Sequence, residues 1–227
     1  MYKKLLITCI AVAAFAAFAM SASASAASPL LTNASGEPVP VGTGLKATNI
    51  GVTKLISSIT TVECSNDVLA GPLTANPNSG KPVEGTVESA NFLGTEAESN
   101  CKSGLGRVRV TTGFAAGAGN GTPWCLSAGA GDVLSVRGGA CGSAARPITF
   151  VLDIHTPFGV VECHFERTTA KGPVTGSYNT KADLIGKIPS GANSEFVGTS
   201  GGVCPTSGTL EMEFGLTTAA GGTLTID

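Results

Sequence analysis

The sequence predicts an all-β fold: a disulfide-stapled antiparallel β-sandwich or barrel built from two similar β units. Three observations carry this expectation. Apolar residues alternate with period two and show no sustained helical period, six cysteines remain after export, and one series of short motifs occurs twice in the same order.

Export comes first, because it decides how the cysteines are read. Lys3-Lys4 precede an apolar run from Leu5 to Met20, and Ser21-Ala22-Ser23-Ala24-Ser25-Ala26 follows it. A basic patch, an apolar core and an Ala-x-Ala end make a secretory signal peptide over residues 1–26, cut between Ala26 and Ala27. The run is short for a membrane span, and no second run approaches that length. In an exported chain the even set Cys64, Cys101, Cys125, Cys141, Cys163 and Cys204 implies three disulfides. No C-x-x-C pair points instead to zinc or dithiol redox chemistry.

The 14 basic residues less Lys3 and Lys4 leave 12 against 16 acidic, a formal charge of −4 for the mature chain. That overall charge gives no electrostatic footprint for nucleic acid or anionic membrane. Low charge with abundant Gly, Thr, Val, Ala and Ser describes thin strands joined by glycine turns, too apolar for a disordered chain.

Residues 27–45 form a Pro/Gly-rich N-terminal arm, and the β domain occupies 46–227. Strands are expected near 46–55, 59–64, 67–75, 83–94, 105–112, 132–137, 147–155, 160–167, 173–178, 182–188, 194–198, 208–217 and 222–226. One hairpin is legible in register. Thr156-Pro157-Phe158-Gly159 fits a type I turn, pairing His155 with Val160, Leu152 with Cys163 and Phe150 with Phe165. Asp153, His155, Glu162, His164 and Glu166 then share the opposite face.

The duplication is read over about 62–112 and 161–218, with 113–160 as the connecting segment. Val62-Glu63-Cys64 recurs as Val161-Glu162-Cys163, and Gly71-Pro72-Leu73-Thr74 as Gly172-Pro173-Val174-Thr175. Phe92-Leu93-Gly94-Thr95 recurs as Phe196-Val197-Gly198-Thr199, each followed by a cysteine, a Ser-Gly pair and an alternating strand. Equivalent cysteines in duplicated units should make equivalent bonds. This predicts Cys64–Cys101 and Cys163–Cys204, leaving Cys125–Cys141 to close the connecting segment. The exchanged pattern, Cys64–Cys204 with Cys101–Cys163, is the alternative if the units swap strands.

Glu-Cys, Gly-Pro-Leu-Thr, Pro82-Val83-Glu84-Gly85-Thr86-Val87, Phe-x-Gly-Thr and Cys204-Pro205-Thr206-Ser207-Gly208-Thr209-Leu210, in that order, resemble a group of secreted proteins from high-GC Gram-positive (actinobacterial) bacteria. The resemblance spans most of the mature chain through short motifs. It implies export and a β fold, and it implies no catalytic residue.

The chemistry offered by the residues is sparse. Gly198-Thr199-Ser200-Gly201-Gly202 matches G-x-S-x-G, yet Val203-Cys204-Pro205 follows where a nucleophile elbow needs a helix, and both histidines precede the serine. Asp153, His155, Glu162 and His164 are the candidate metal ligands; a solvated polar strand face has the same pattern. Gly117-Ala118-Gly119-Asn120-Gly121 lacks the Lys-Ser/Thr and helix of a phosphate loop. Trp124 beside Cys125 suits packing against a disulfide, with sugar stacking as the rival role.

The expectation is therefore a non-enzymatic protein with no cofactor, secreted or surface-associated, in a binding or envelope/matrix role. One alternative is an extracellular subunit that self-assembles when the 27–45 arm or the terminal strand adds to a neighbour's sheet. A secreted hydrolase of unfamiliar type is the other.

Overall fold

The hairpin that the sequence spells out is present in the computed structural model, which describes residues 29–77, 79–94, 101–112, 121–179 and 183–226. His155 pairs with Val160, Leu152 with Cys163 and Phe150 with Phe165, as the alternation requires. Ile148, Phe150, Leu152 and Ile154 on one strand and Cys163 and Phe165 on the other are buried. The rings of Phe150 and Phe165 stack at 5.3 Å, and Phe196 meets Phe150 edge-on at 4.9 Å. Side chains of this size contribute about 1.5–3 kcal/mol each when fully buried, and here they anchor a continuous apolar interior.

The strands are β1 (Leu31–Asn33), β2 (Gly44–Asn49), β3 (Thr53–Ser57), β4 (Thr61–Cys64), β5 (Val68–Ala75), β6 (Val83–Val87), β7 (Ser89–Asn91), β8 (Cys101–Ser103) and β9 (Gly106–Thr112). They continue as β10 (Trp124–Gly129), β11 (Val133–Gly138), β12 (Ile148–Thr156), β13 (Gly159–Arg167), β14 (Val174–Tyr178), β15 (Ile185–Ile188), β16 (Glu195–Gly198), β17 (Ser207–Thr218) and β18 (Leu224–Ile226). Single 3-10 turns sit at Thr169–Lys171 and Ala192–Ser194.

Antiparallel pairing closes the sheet into a barrel, and it does so twice. Ring 1 runs β17–β2–β5–β6–β10–β11–β14–β15 and returns to β17. Ring 2 runs β17–β3–β4–β8–β9–β12–β13–β16 and also returns to β17. The long strand β17 serves both, with Gly208–Glu211 against β3 and Phe214–Thr218 against β2. Closure satisfies the backbone groups that an open sheet leaves bare at its edges.

The same pairing scheme occurs in each half of the chain. Pairs β2–β5, β5–β6, β3–β4, β4–β8 and β8–β9 have counterparts in β11–β14, β14–β15, β12–β13, β13–β16 and β16–β17. Even a packing detail recurs. A Cβ on Gly71, opposite Leu45, would lie 1.9 Å from the carbonyl oxygen of Thr86; on Gly176, opposite Leu134, it would lie 2.0 Å from that of Lys187. Only glycine lets the neighbouring backbone cross so closely. Residues 113–160, read from sequence as a connection, contribute β10, β11 and β12 to the rings.

Other differences from the sequence reading share one cause. Segment 46–55 breaks at Ile50–Val52, where the chain leaves ring 1 for ring 2 through Gly51 at φ +76°. Segment 83–94 divides into β6 and β7, which lie on different stretches of β5. Alternation reports which face is apolar and is blind to a change of neighbours. The short strands β1, β8 and β10 were absent from the expected set, since Gly, Pro and cysteine neighbours mask their alternation.

The arm contributes a strand of its own, β1. Leu31 pairs with Ile226 and Asn33 with Leu224, so β1 and β18 form a ribbon. Leu31 and Ile226 pack with Leu45, Leu73 and Tyr178 at one end of ring 1. Asn76 fixes the ribbon: its Oδ1 accepts from the Leu31 N–H at 2.8 Å, and its Nδ2 donates to the carbonyls of Leu31 and Val39. Disulfides join Cys64 to Cys101, Cys125 to Cys141 and Cys163 to Cys204, the pairs that equivalence of the repeated motifs predicts. Segment 1–26 with its Ala26–Ala27 cut, and Thr95, lie outside the described residues, as do residues 113–120.

Candidate functional site

The four candidate metal ligands occupy the outer face of ring 2 without converging. Asp153 stands between Glu162 on β13 and Arg109 on β9, and His155 between Val160 and Arg107. The His164 imidazole is hydrogen-bonded to Glu162 Oε1. Asp153 thus has one like-charged and one oppositely charged cross-strand neighbour, and the groups form a mixed polar ladder on a solvated sheet. Among the described residues, the metal-type donors gathered within reach of one ion are Glu84, Cys125 and Cys141, and both of those sulfurs are committed to a disulfide.

Ser200 serves the backbone. Its Oγ accepts from the main-chain N–H of His164 at 2.8 Å, and the Thr199 N–H donates to the His164 carbonyl. These bonds extend the β13–β16 ladder into the loop that reaches Cys204, itself tied to Cys163. Trp124 is 6% exposed, so its face is unavailable for stacking on a sugar.

The chemistry that the sequence did not disclose lies inside the barrel, where the rings meet. A cavity of about 70 Å³ is bounded by Leu55 and Val62 of ring 2, Val136 and Val174 of ring 1, and Met212 of the shared strand. Its wall is apolar throughout, and Thr53 and Trp124 are among the residues that line it. Both are buried, and neither Thr53 Oγ1 nor Trp124 Nε1 has a hydrogen-bond partner. An orphaned donor of this kind costs about 1–3 kcal/mol, so two at one cavity are unusual in a settled core.

Beside Thr53, the crossings between rings carry a buried carboxyl. Asn49 ends β2 and Asp67 precedes β5. Asp67 N–H donates to Asn49 Oδ1 at 2.9 Å, and Asn49 N–H donates to the Asp67 carbonyl at 3.2 Å. Asp67 Oδ1 accepts from the Leu93 N–H at 3.1 Å, while Oδ2 has no hydrogen-bond partner. Burial pushes this carboxyl up from an ordinary 3.8 to about 6. The Thr53 hydroxyl and Leu93 amide oppose the rise; Thr53 lies close enough to favour the charge without completing a hydrogen bond.

The sign of the resulting pH dependence follows directly. Between pH 4 and 6 the folded protein holds a proton on Asp67 that the unfolded chain has released, so this group makes stability fall as pH rises through that window. Above pH 6 the cost is constant, at about 3 kcal/mol for two pK units. Asp67→Asn keeps an acceptor for Leu93 and removes the charge. Urea unfolding at pH 7.5 should show the variant more stable by up to about 3 kcal/mol, the gain vanishing near pH 4. A difference that is flat with pH would show that Asp67 does not titrate in this range.

No protein-family model, curated protein or solved structure matches this chain. No helix among the described residues is long and apolar enough to cross a membrane.

Proposed function

We propose that this is a non-enzymatic exported protein, secreted or surface-associated, that binds a small apolar molecule inside its double-ring barrel. The cavity at the ring junction carries the reading, because it is an apolar enclosure inside a disulfide-stapled barrel. Hydrocarbon would fill the space beside Leu55 and Met212. An engineered cavity of about 150 Å³ holds benzene, so a space half that size suits about three heavy atoms. Export and three disulfides suit one another, and duplication of one strand unit accounts for both the repeated motifs and the repeated pairing. In the self-assembly alternative the strands that would add to a neighbour are β1 and β18, which pair with each other in this chain.

Trp124 is the sole tryptophan of the sequence, so its emission reports directly on the cavity. Equilibration with propane should give a saturable emission change in roughly the millimolar range, as expected for so few atoms. Acetonitrile, of similar size but polar, should bind more weakly, and Val136→Phe should abolish saturation by filling the space. A linear response, or one unchanged in Val136→Phe, would count against the cavity. Labelling of Ser200 by a serine-reactive phosphonate in the folded protein would count against the non-enzymatic reading.

A further inference from the structure

Ring 2 is built from four hairpins, and all four turn at the same end. The β3–β4 turn spans Ser57–Thr60, the β8–β9 turn Ser103–Gly106, and the β12–β13 turn Thr156–Gly159, while residues 199–206 join β16 to β17. Pairing of Val62 with Ser103 sets the first two tips side by side, and Arg107 with His155 does the same for the next two. Ser57 opposite Gly208 and Gly198 opposite Phe165 bring the fourth connection into the same circle.

Each tip exposes a large apolar side chain: Ile59 at 49%, Leu105 at 44%, Phe158 at 100% and Val203 at 71%. Val160, beside Phe158, is also exposed. None of the four connections contains a charged residue. Turns on a solvated protein are ordinarily polar, so four adjacent uncharged turns with apolar summits form a distinct surface. Behind them stand Lys102, Arg107 and His155, all exposed, with Glu63 the cross-strand partner of Lys102. Glu63 also faces Lys54, Glu162 faces Asp153, and the fourth connection lies against the main chain of Glu162 and His164.

Apolar summits backed by exposed cations complement one kind of partner, an anionic lipid surface, in which side chains enter the interface and cations meet headgroups. We propose that this end of ring 2 docks on an anionic bilayer, with Phe158 as the deepest contact and Lys102 and Arg107 at headgroup level. The site is separate from the interior cavity, on the far side of the apolar core, and does not depend on ligand binding there.

Co-sedimentation of the disulfide-intact protein with vesicles tests this. Binding to mixed phosphatidylglycerol/phosphatidylcholine vesicles should exceed binding to pure phosphatidylcholine and should weaken at high salt. Phe158→Ser with Val203→Ser should reduce it about tenfold or more, and Lys102→Glu with Arg107→Glu should remove the preference for phosphatidylglycerol. These positions are exposed, so unchanged melting temperatures check that the variants fold. In a Phe158→Trp variant, the added emission should shift to the blue on vesicles, while Trp124 stays buried. Absence of binding to either vesicle, or binding indifferent to the tip substitutions, overturns the proposal. So does lipid-free self-association that Phe158→Ser abolishes, which would assign the surface to a second copy of the chain.

Discussion

Arg167→Met should lower the unfolding free energy by about 3–5 kcal/mol, read from urea denaturation at neutral pH. Arg167 is 5% exposed, at the end of β13, and its guanidinium is surrounded by main-chain acceptors. Nε donates to the Gly172 carbonyl at 2.9 Å, Nη1 to Glu195 at 2.8 Å, and Nη2 to Lys171 and Pro173 at 3.0 and 2.9 Å. One planar fork thus fixes the 3-10 turn after β13 and the start of β16. Methionine fills the stem volume but leaves these carbonyls without donors in a place water reaches poorly. Arg167→Lys should recover only a small part, because an ammonium reaches fewer of these acceptors from one position. A loss below about 1 kcal/mol for Arg167→Met would mean that water replaces the guanidinium freely.

Removing disulfides should be comparably costly, and the order is set by the loops they close. The bonds Cys163–Cys204, Cys64–Cys101 and Cys125–Cys141 span 41, 37 and 16 residues. Chain-entropy estimates for these loops are about 4, 4 and 3 kcal/mol. Paired alanine substitutions should therefore lower stability by about these amounts, the Cys125/Cys141 pair least. Losing two bonds approaches the whole net stability of an ordinary domain, so full reduction should unfold the protein at ambient temperature. The first two bonds lie in ring 2, where Cys64, Cys101, Cys163 and Cys204 are all buried, and cavity formation adds to their loss. If the three double variants unfold at the same denaturant concentration as the parent, loop closure is not what stabilises this chain.

The register of β12–β13 was legible because period-two alternation and a Pro-Phe-Gly turn leave a hairpin one way to hide Phe150, Leu152, Cys163 and Phe165. The disulfide pairing was legible because the motifs around Cys64, Cys101, Cys163 and Cys204 repeat in order. A signal for Arg167 was present too: it continues the inward series Val161, Cys163, Phe165, and a charge at an inward phase marks a buried network.

Other features depend on separations no local pattern encodes. Alternation along residues 46–55 is the same whether β2 and β3 form one strand or pass between rings, since each inward face is apolar either way. Thr53 and Trp124 meet across a cavity only because β3 and β10 belong to different rings that abut. Asp67 reads as a turn residue after Cys64, and only the Asn49 and Leu93 contacts show it buried with one oxygen unpartnered. The four apolar tips are scattered from Ile59 to Val203, and ring closure alone gathers them at one end. By itself the sequence determined the compartment expected for this chain, its strand character and its covalent staples, because these rest on composition and local period. Tertiary structure alone decided the cavity, the buried carboxyl and the tip surface, because each depends on which strands become neighbours when the sheet closes.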